Sequence, residues 1–214
     1  MPVDVINVDE DIVLRKPSLA RAEDIFRLVD ANRQHLRRWL PWVDAMRAVK
    51  DERAWLEDEL APSNRWSQPY MVLQRSKLAG MLDIRGLSSP SRAGEIGYWL
   101  AEDAQGKGVM TRSCRALLDY VFALEGINRM QIRAATSNTK SRAIPQRLGF
   151  MFEGVQRQAE LVNGVFFDLA IYGLLAQEWR KLSLSPAAAG ERDIGSGGHP
   201  QTPARGGEAP SGHP

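Results

Sequence analysis

The sequence predicts a mixed α/β domain, with helices inserted between strands that are not all parallel. Three observations carry this. Runs of period two and runs of period 3.6 interleave along the chain. Asn163-Gly164 separates two apolar strand-like runs, the signature of a tight antiparallel hairpin. Hydrophobic residues make up 43% of the chain and charged ones 25%, the composition of an ordinary globular protein with enough apolar material for a sizeable core.

Ile12 to Lys16 reads as the first strand. Leu19, Ala22, Ile25, Leu28 and Val29 recur at helical spacing, with Ser18 placed as N-cap. Pro41 breaks the chain within the aromatic patch Trp39-Leu40-Pro41-Trp42. A second helix is predicted from Asp51 to Leu60. Tyr70 to Gln74 and Leu78 to Arg85 read as paired strands joined at Ser76-Lys77, and Glu95 to Leu100 as another strand. Met110, Cys114, Leu117, Val121 and Leu124 mark one helix face, closed by Gly126. Met130, Ile132 and Ala134 alternate as a strand, a short helix is predicted between Thr139 and Leu148, and the hairpin at Asn163-Gly164 ends the domain. The predicted order is β-α-α-β-β-β-α-β-α-β-β. Residues 1–182 form one domain. From 183 to 214 the chain is rich in Gly, Pro, Ala and Ser, with too little apolar surface to offset its ordering entropy, and is expected to be a disordered tail.

Composition also narrows the chemistry. The net charge is +2 and no long Lys/Arg run is present, so charge implies neither nucleic acid nor an anionic membrane as partner. No apolar run approaches a membrane span and the N-terminus has no secretory pattern, so a cytoplasmic protein is expected. A single cysteine, Cys114, rules out an internal disulfide and a cysteine-rich zinc site. His35, His199 and His213 are too scattered for a metal cluster, so no metal is expected. Cys114 fits the apolar face of its helix and reads as structural.

Gln105-Gly106-Lys107-Gly108 follows a strand and opens a helix. A helix start presents unpaired N–H groups and partial positive charge, and glycines let an anion approach them. The spacing fails both the Walker loop and the dinucleotide fingerprint, where Thr111 occupies the third glycine position. On these residues alone, a phosphate cradle and a polar turn at a helix start remain equally open.

The run Glu95-Ile96-Gly97-Tyr98-Trp99-Leu100 followed by Gln105-Gly106-Lys107-Gly108-Val109-Met110-Thr111 resembles the GNAT acyltransferases. Within them it is most similar to the RimJ/RimL-type ribosomal-protein N-acetyltransferases. Asn138 to Arg142, Leu148-Gly149-Phe150, Glu153-Gly154, Gln158-Ala159-Glu160 and Asn163-Gly164 continue the match. The resemblance implies a GNAT-like fold: a central twisted, mostly antiparallel sheet with a splayed parallel strand pair and flanking helices. It implies acetyl-coenzyme A (acetyl-CoA) as co-substrate, with its pyrophosphate on the backbone of residues 105–111. Gln105, Gly108 and Met110 take the motif positions there, and Met110 departs from the small residue that is usual. The backbone of Tyr98, Trp99 and Leu100 would bind the pantetheine arm.

The resemblance also suggests roles in catalysis. The tyrosine that protonates the departing thiolate in many relatives is replaced by Pro145. Ser141, one turn earlier, is expected as the general acid, against the plain reading of a helix-start serine. Pro145 predicts a kink, or a helix that starts later than usual. Asn138 is expected to bond the pantetheine arm, to cap the helix, or both. Glu160 is the expected general base, against a solvated strand residue, with Asp168 as a second acidic candidate. Trp39 and Trp42 would either wall the acceptor cleft or pack beneath the helices. The expected reaction moves acetyl to a protein N-terminal α-amine. A small-molecule amine (amino acid, polyamine or antibiotic) and a non-catalytic coenzyme A-binding module are the alternatives, and a homodimer is compatible with the resemblance. An α-amine of pKa near 7.8 is about a tenth neutral at pH 7, so it asks little of a base.

Overall fold

The computed structural model describes residues 3–184 except 62, 65, 66, 88, 89 and 125. In chain order it forms β1 (Val5–Asn7), β2 (Ile12–Arg15), a 3-10 turn at Leu19–Arg21, α1 (Ala22–Ala31), α2 (Arg33–Leu36) and α3 (Val49–Glu59). These are followed by β3 (Ser67–Gln74), β4 (Lys77–Arg85), β5 (Ala93–Leu100), α4 (Val109–Ala123), β6 (Arg129–Ala135) and α5 (Thr139–Arg147). The hairpin β7 (Met151–Val162) and β8 (Val165–Leu175) leads into α6 (Ala176–Leu184). The eight strands form one sheet in the order β1-β2-β3-β4-β5-β6-β8-β7. Every pairing is antiparallel except β5 with β6. This is the mixed, mostly antiparallel sheet with one parallel pair that the family resemblance implies.

The middle strands are buried on both faces, because alternate side chains enter two separate cores. Tyr70, Val72, Leu82, Ile84 and Ile96 join the face covered by α4, where Val109, Met110, Cys114, Leu117, Leu118 and Val121 pack. Met71, Met81 and Trp99 turn the other way and join Ile25, Val29 and Leu56 of α1 and α3. Neighbouring residues of β5 thus serve opposite faces, Tyr98 toward α4 and Trp99 toward α1 and α3. Cys114 is fully buried, and burial pushes its thiol pKa well up, so it is an inert core residue.

Several local expectations change. Ser18 makes no side-chain cap, because a 3-10 turn precedes α1. Leu124, not Gly126, caps α4, and Gly126 adopts positive φ two residues later. The strand β1, the short α2 and the terminal helix α6 are additional elements. At three and four residues, β1 and α2 are too short to show a period. The Trp179 indole of α6 donates to Asp119 of α4 at 2.9 Å, a tertiary contact that docks this last helix. Residues from 185 onward, most of the expected tail, lie outside those described. Among the described residues no helix is long and apolar enough to cross a membrane.

One buried charge stands out. Glu52 on α3 is 2% exposed, and no described residue gives it a hydrogen bond or ion pair. Burial pushes its carboxyl up to about 7 from the ordinary 4.5. The folded chain therefore holds this proton more tightly than the unfolded one. The resulting stabilisation is complete below about pH 4.5 and is lost as the pH rises to about 7. Glu52→Gln removes the titration. Its stability relative to the parent should climb between pH 5 and pH 8, by up to about 3 kcal/mol in denaturant titrations. A difference that stays flat with pH would show that Glu52 ionises as readily in the folded protein as in the unfolded chain.

Candidate active site

The parallel join between β5 and β6 lasts three residue pairs, Ala93 with Arg129, Gly94 with Met130 and Glu95 with Gln131. Past Glu95 the strands part. β5 continues to pair with β4 as far as Leu100, and β6 with β8 as far as Ala135. The edges facing each other across this wedge keep unpaired backbone groups on alternate residues. The wedge opens into a cavity of about 1220 Å³, lined by Tyr98, Trp99 and Leu100 on one side and Ala134, Ala135 and Asn138 on the other.

At one end of the cavity lies the start of α4. Gly106 and Gly108 have φ of 74° and 71°, values that favour glycine. Gly108 is the helix N-cap, and the first intrahelical bond is Arg112 N–H to Gly108 C=O, so the amides up to Thr111 have no partner within the helix. Gly106, Gly108, Val109, Met110 and Thr111 all line the cavity. Lys107 does not line it, and its carbonyl accepts from Arg112 Nη2 at 3.5 Å. Met110 is buried in the core, so the large side chain at this motif position points away from the turn. Gln105 is clamped twice. Its Oε1 accepts from Lys140 Nζ at 3.2 Å and its Nε2 lies 2.7 Å from His35 Nε2. Sequence reasoning missed His35 because it lies seventy residues away, on the short α2.

At the centre of the wedge, Asn138 caps α5 by accepting from Ser141 N–H through Oδ1 at 3.1 Å, which leaves its Nδ2 available to the cavity. Contrary to the expectation raised by Pro145, α5 is continuous from Thr139 to Arg147 and does not start late. In a regular helix the amide of residue 145 would satisfy the Ser141 carbonyl. Proline cannot, and the Tyr98 hydroxyl fills the gap by donating to that carbonyl at 3.0 Å. Ser141 Oγ in turn donates to the Tyr98 hydroxyl at 3.3 Å. Burial raises the Tyr98 phenol pKa, so it stays a donor. The helix accepts proline because a side chain from β5 completes it.

The other mouth of the cavity is charged. Glu160 lines it, at the end of a wide bulge in β7 that breaks register between Gln156 and Glu160. Burial raises the Glu160 carboxyl pKa, with Arg133 opposing and Glu95 reinforcing the shift. Arg133 itself pairs with Glu95 at 2.9 Å. Asp168 is not brought to the cavity, because its carboxylate accepts from Gln158 N–H at 2.8 Å and secures the bulge. Trp39 and Trp42 both line the cavity. Trp39 lies 6.0 Å from the Phe167 ring and Trp42 6.1 Å from Trp99, so wall and packing roles coincide.

A mixed sheet whose only parallel pair splays beside an open helix N-terminus defines a class: acyl transferases that thread a phosphate-bearing acyl thioester through the wedge. The donor set fits that co-substrate. Free helix amides and two positive-φ glycines would suit a pyrophosphate, and unpaired strand edges would suit the amide-rich arm. The family model for the acetyltransferase (GNAT) domain matches residues 11–151. The putative ribosomal N-acetyltransferase YdaF of Bacillus subtilis is 36% identical over 180 residues, covering 80% of this chain and 95% of its own. The structure of RimL, a ribosomal L7/L12 α-N-protein acetyltransferase in complex with coenzyme A, superposes with a TM-score of 0.76 at 27% identity, covering 80% of this chain and 97% of that one. The microcin C7 self-immunity acetyltransferase MccE, in complex with acetyl-CoA and AMP, gives 0.77 at 28%, covering 81% and 97%. The chain belongs to the GNAT acetyltransferases and is an acetyl-CoA-dependent N-acetyltransferase of the RimL/RimJ type.

The bond between Tyr98 and the Ser141 carbonyl is open to a double-mutant cycle. Tyr98→Phe should cost about 1–1.5 kcal/mol in chemical denaturation, since a half-buried carbonyl loses its donor. In a Pro145→Ala background the restored helix amide satisfies that carbonyl, so the same change should cost much less. Additive costs would show that Tyr98 does not complete the helix.

Proposed function

We propose that this enzyme acetylates a protein N-terminal α-amine, with Glu160 as the base and Ser141 as the acid. The observation that carries the chemistry is that one cavity holds a carboxyl of raised pKa and a hydroxyl at the cap of α5. The likeness to YdaF and RimL supports the acceptor class.

Bound acetyl-CoA supplies an activated acyl carbon and a thiolate leaving group. The chain supplies positions and protons. Residues 105–111 hold the pyrophosphate through backbone amides, and Gln105 is braced by His35 and Lys140. The Nδ2 of Asn138, left over from the cap, binds a carbonyl of the pantetheine arm. The edge of Tyr98–Leu100 binds its amides and aims an N–H at the acyl oxygen. Glu160 takes the proton lost by the attacking amine. Its raised pKa brings it closer to that of an α-ammonium, which makes it a better base than an exposed glutamate. The Ser141 hydroxyl turns from Tyr98 toward the departing sulfur and delivers a proton, which solvent replaces. In sum, one proton moves from nitrogen to sulfur. Tyr98 holds Ser141 in place and stays protonated throughout.

Thiol release measured with a panel of N-terminal peptides and small amines tests the acceptor. Peptides with a free α-amine should be turned over, and their Nα-acetylated counterparts should not. Turnover of small amines alone would overturn this reading. Ser141→Ala and Glu160→Gln should each lower kcat by about 10²–10³, with coenzyme A affinity kept within about threefold. Because Glu160 must be ionised to act, the rate should rise with pH through its raised pKa, and Glu160→Gln should abolish that limb. A variant whose turnover matches that of the parent at every pH would remove Glu160 from the mechanism.

A further inference from the structure

The acceptor face of the sheet holds more negative charge than one amine needs. Asp83, Glu95, Arg85 and Arg133 line the cavity together with Glu52 and Glu160. Asp83 pairs with Arg85, and Glu95 with Arg133. Gly97 makes room for this row, since a Cβ there would lie 2.5 Å from the Asp83 carboxylate. Once the pairs are set aside, and apart from Glu102, which lines the cavity just past the end of β5 near the start of α4, two carboxylates remain. Glu160 is the one assigned above to the reacting amine.

Glu52 is the other. It is 2% exposed, has no partner among the described residues, and lines the cavity. Its surroundings are apolar and aromatic. Trp42, Trp55, Trp99, Met46, Met81 and Ile25 line the same recess. Trp55 stands one turn from Glu52 on α3, and Trp42 meets Trp99 at 6.1 Å with planes tilted by 55°. A carboxylate left alone in such a recess is unfavourable to the fold. A cation entering there would pair with it and lie against tryptophan faces, which attract ammonium and guanidinium groups. An anionic group would be repelled, and a neutral donor would gain a hydrogen bond without the charge pairing.

We propose that the acceptor carries a second cationic group, an alkylammonium or guanidinium, which seats against Glu52 in the tryptophan-lined recess while the reacting amine lies at Glu160. The inference rests on the acceptor side assigned above, but not on the acceptor being a protein. A lysine or arginine near a peptide N-terminus and the far end of a linear diamine present the same chemistry.

Matched acceptors separate the cases. Peptides differing only in a neutral or a lysine residue at the second or third position, and butylamine against 1,4-diaminobutane, are compared at saturating acetyl-CoA. In at least one pair the dicationic member should be preferred by about tenfold or more in kcat/KM, mainly through KM. In Glu52→Gln that ratio should fall to within about twofold. Preference among the peptides alone assigns the cation to a protein acceptor, and among the amines alone to a small polyamine. As a second readout, 1,4-diaminobutane should raise the Tm of the parent protein at pH 8 more than butylamine does, and the two should be equal in Glu52→Gln. No preference in either pair, or a preference that survives Glu52→Gln, overturns the proposal. If no acceptor is turned over, the N-terminal reading fails, and the Tm comparison alone decides whether Glu52 binds a cation.

Discussion

The early end of the pairing between β5 and β6 is the constraint on which the rest of the molecule depends. Two strands that stayed paired would satisfy each other's backbone and close the sheet. Parting after Glu95 and Gln131, they leave unsatisfied edges that a ligand must meet, and they open a passage between the two faces. The alternation of side chains then sorts the chemistry. Tyr98 reaches α5 on one face, while Trp99 helps wall the acceptor recess on the other. The proposed cofactor and acceptor roles would thus fall on opposite sides of the same short strand.

The same strand repairs what Pro145 removes. A proline at that place deletes a helix hydrogen bond beside the site, at the carbonyl of the proposed acid. The Tyr98 hydroxyl takes that carbonyl and also receives the Ser141 hydroxyl. Pro145 on α5 is therefore accompanied by a tyrosine from β5 that would position, rather than replace, the proposed acid. On the proposed acceptor side, Glu52 is buried without a partner among the described residues, which costs the fold stability at neutral pH that a bound cation would offset.

What could be read in the sequence follows from which interactions are local. The turn at residues 105–108, the Asn163-Gly164 hairpin and the apolar face of α4 were legible because each is written in neighbouring residues. Asn163 and Gly164 both take positive φ, as a two-residue turn of this kind requires. The family resemblance placed Ser141, Asn138 and Glu160, and all three line the cavity. Partnerships across the fold were not legible. His35 with Gln105, Tyr98 with Ser141 and Asp168 with Gln158 depend on which strands meet and where a bulge falls. Pro145 misled for the same reason, since its remedy lies forty-three residues upstream of Ser141. Nothing in the sequence separates Glu52 from the other glutamates of α3, and only the packing of that helix buries it.

Amide hydrogen exchange with and without coenzyme A tests the wedge most directly. Binding should slow exchange together at two separated segments, Tyr98–Leu100 on the splayed strand and Gly108–Thr111 at the start of α4. The β1–β2 edge of the sheet should be unchanged. Tight coenzyme A binding that leaves the amides of either segment exchanging at their free rates would contradict a co-substrate held by the divergence of β5 and β6.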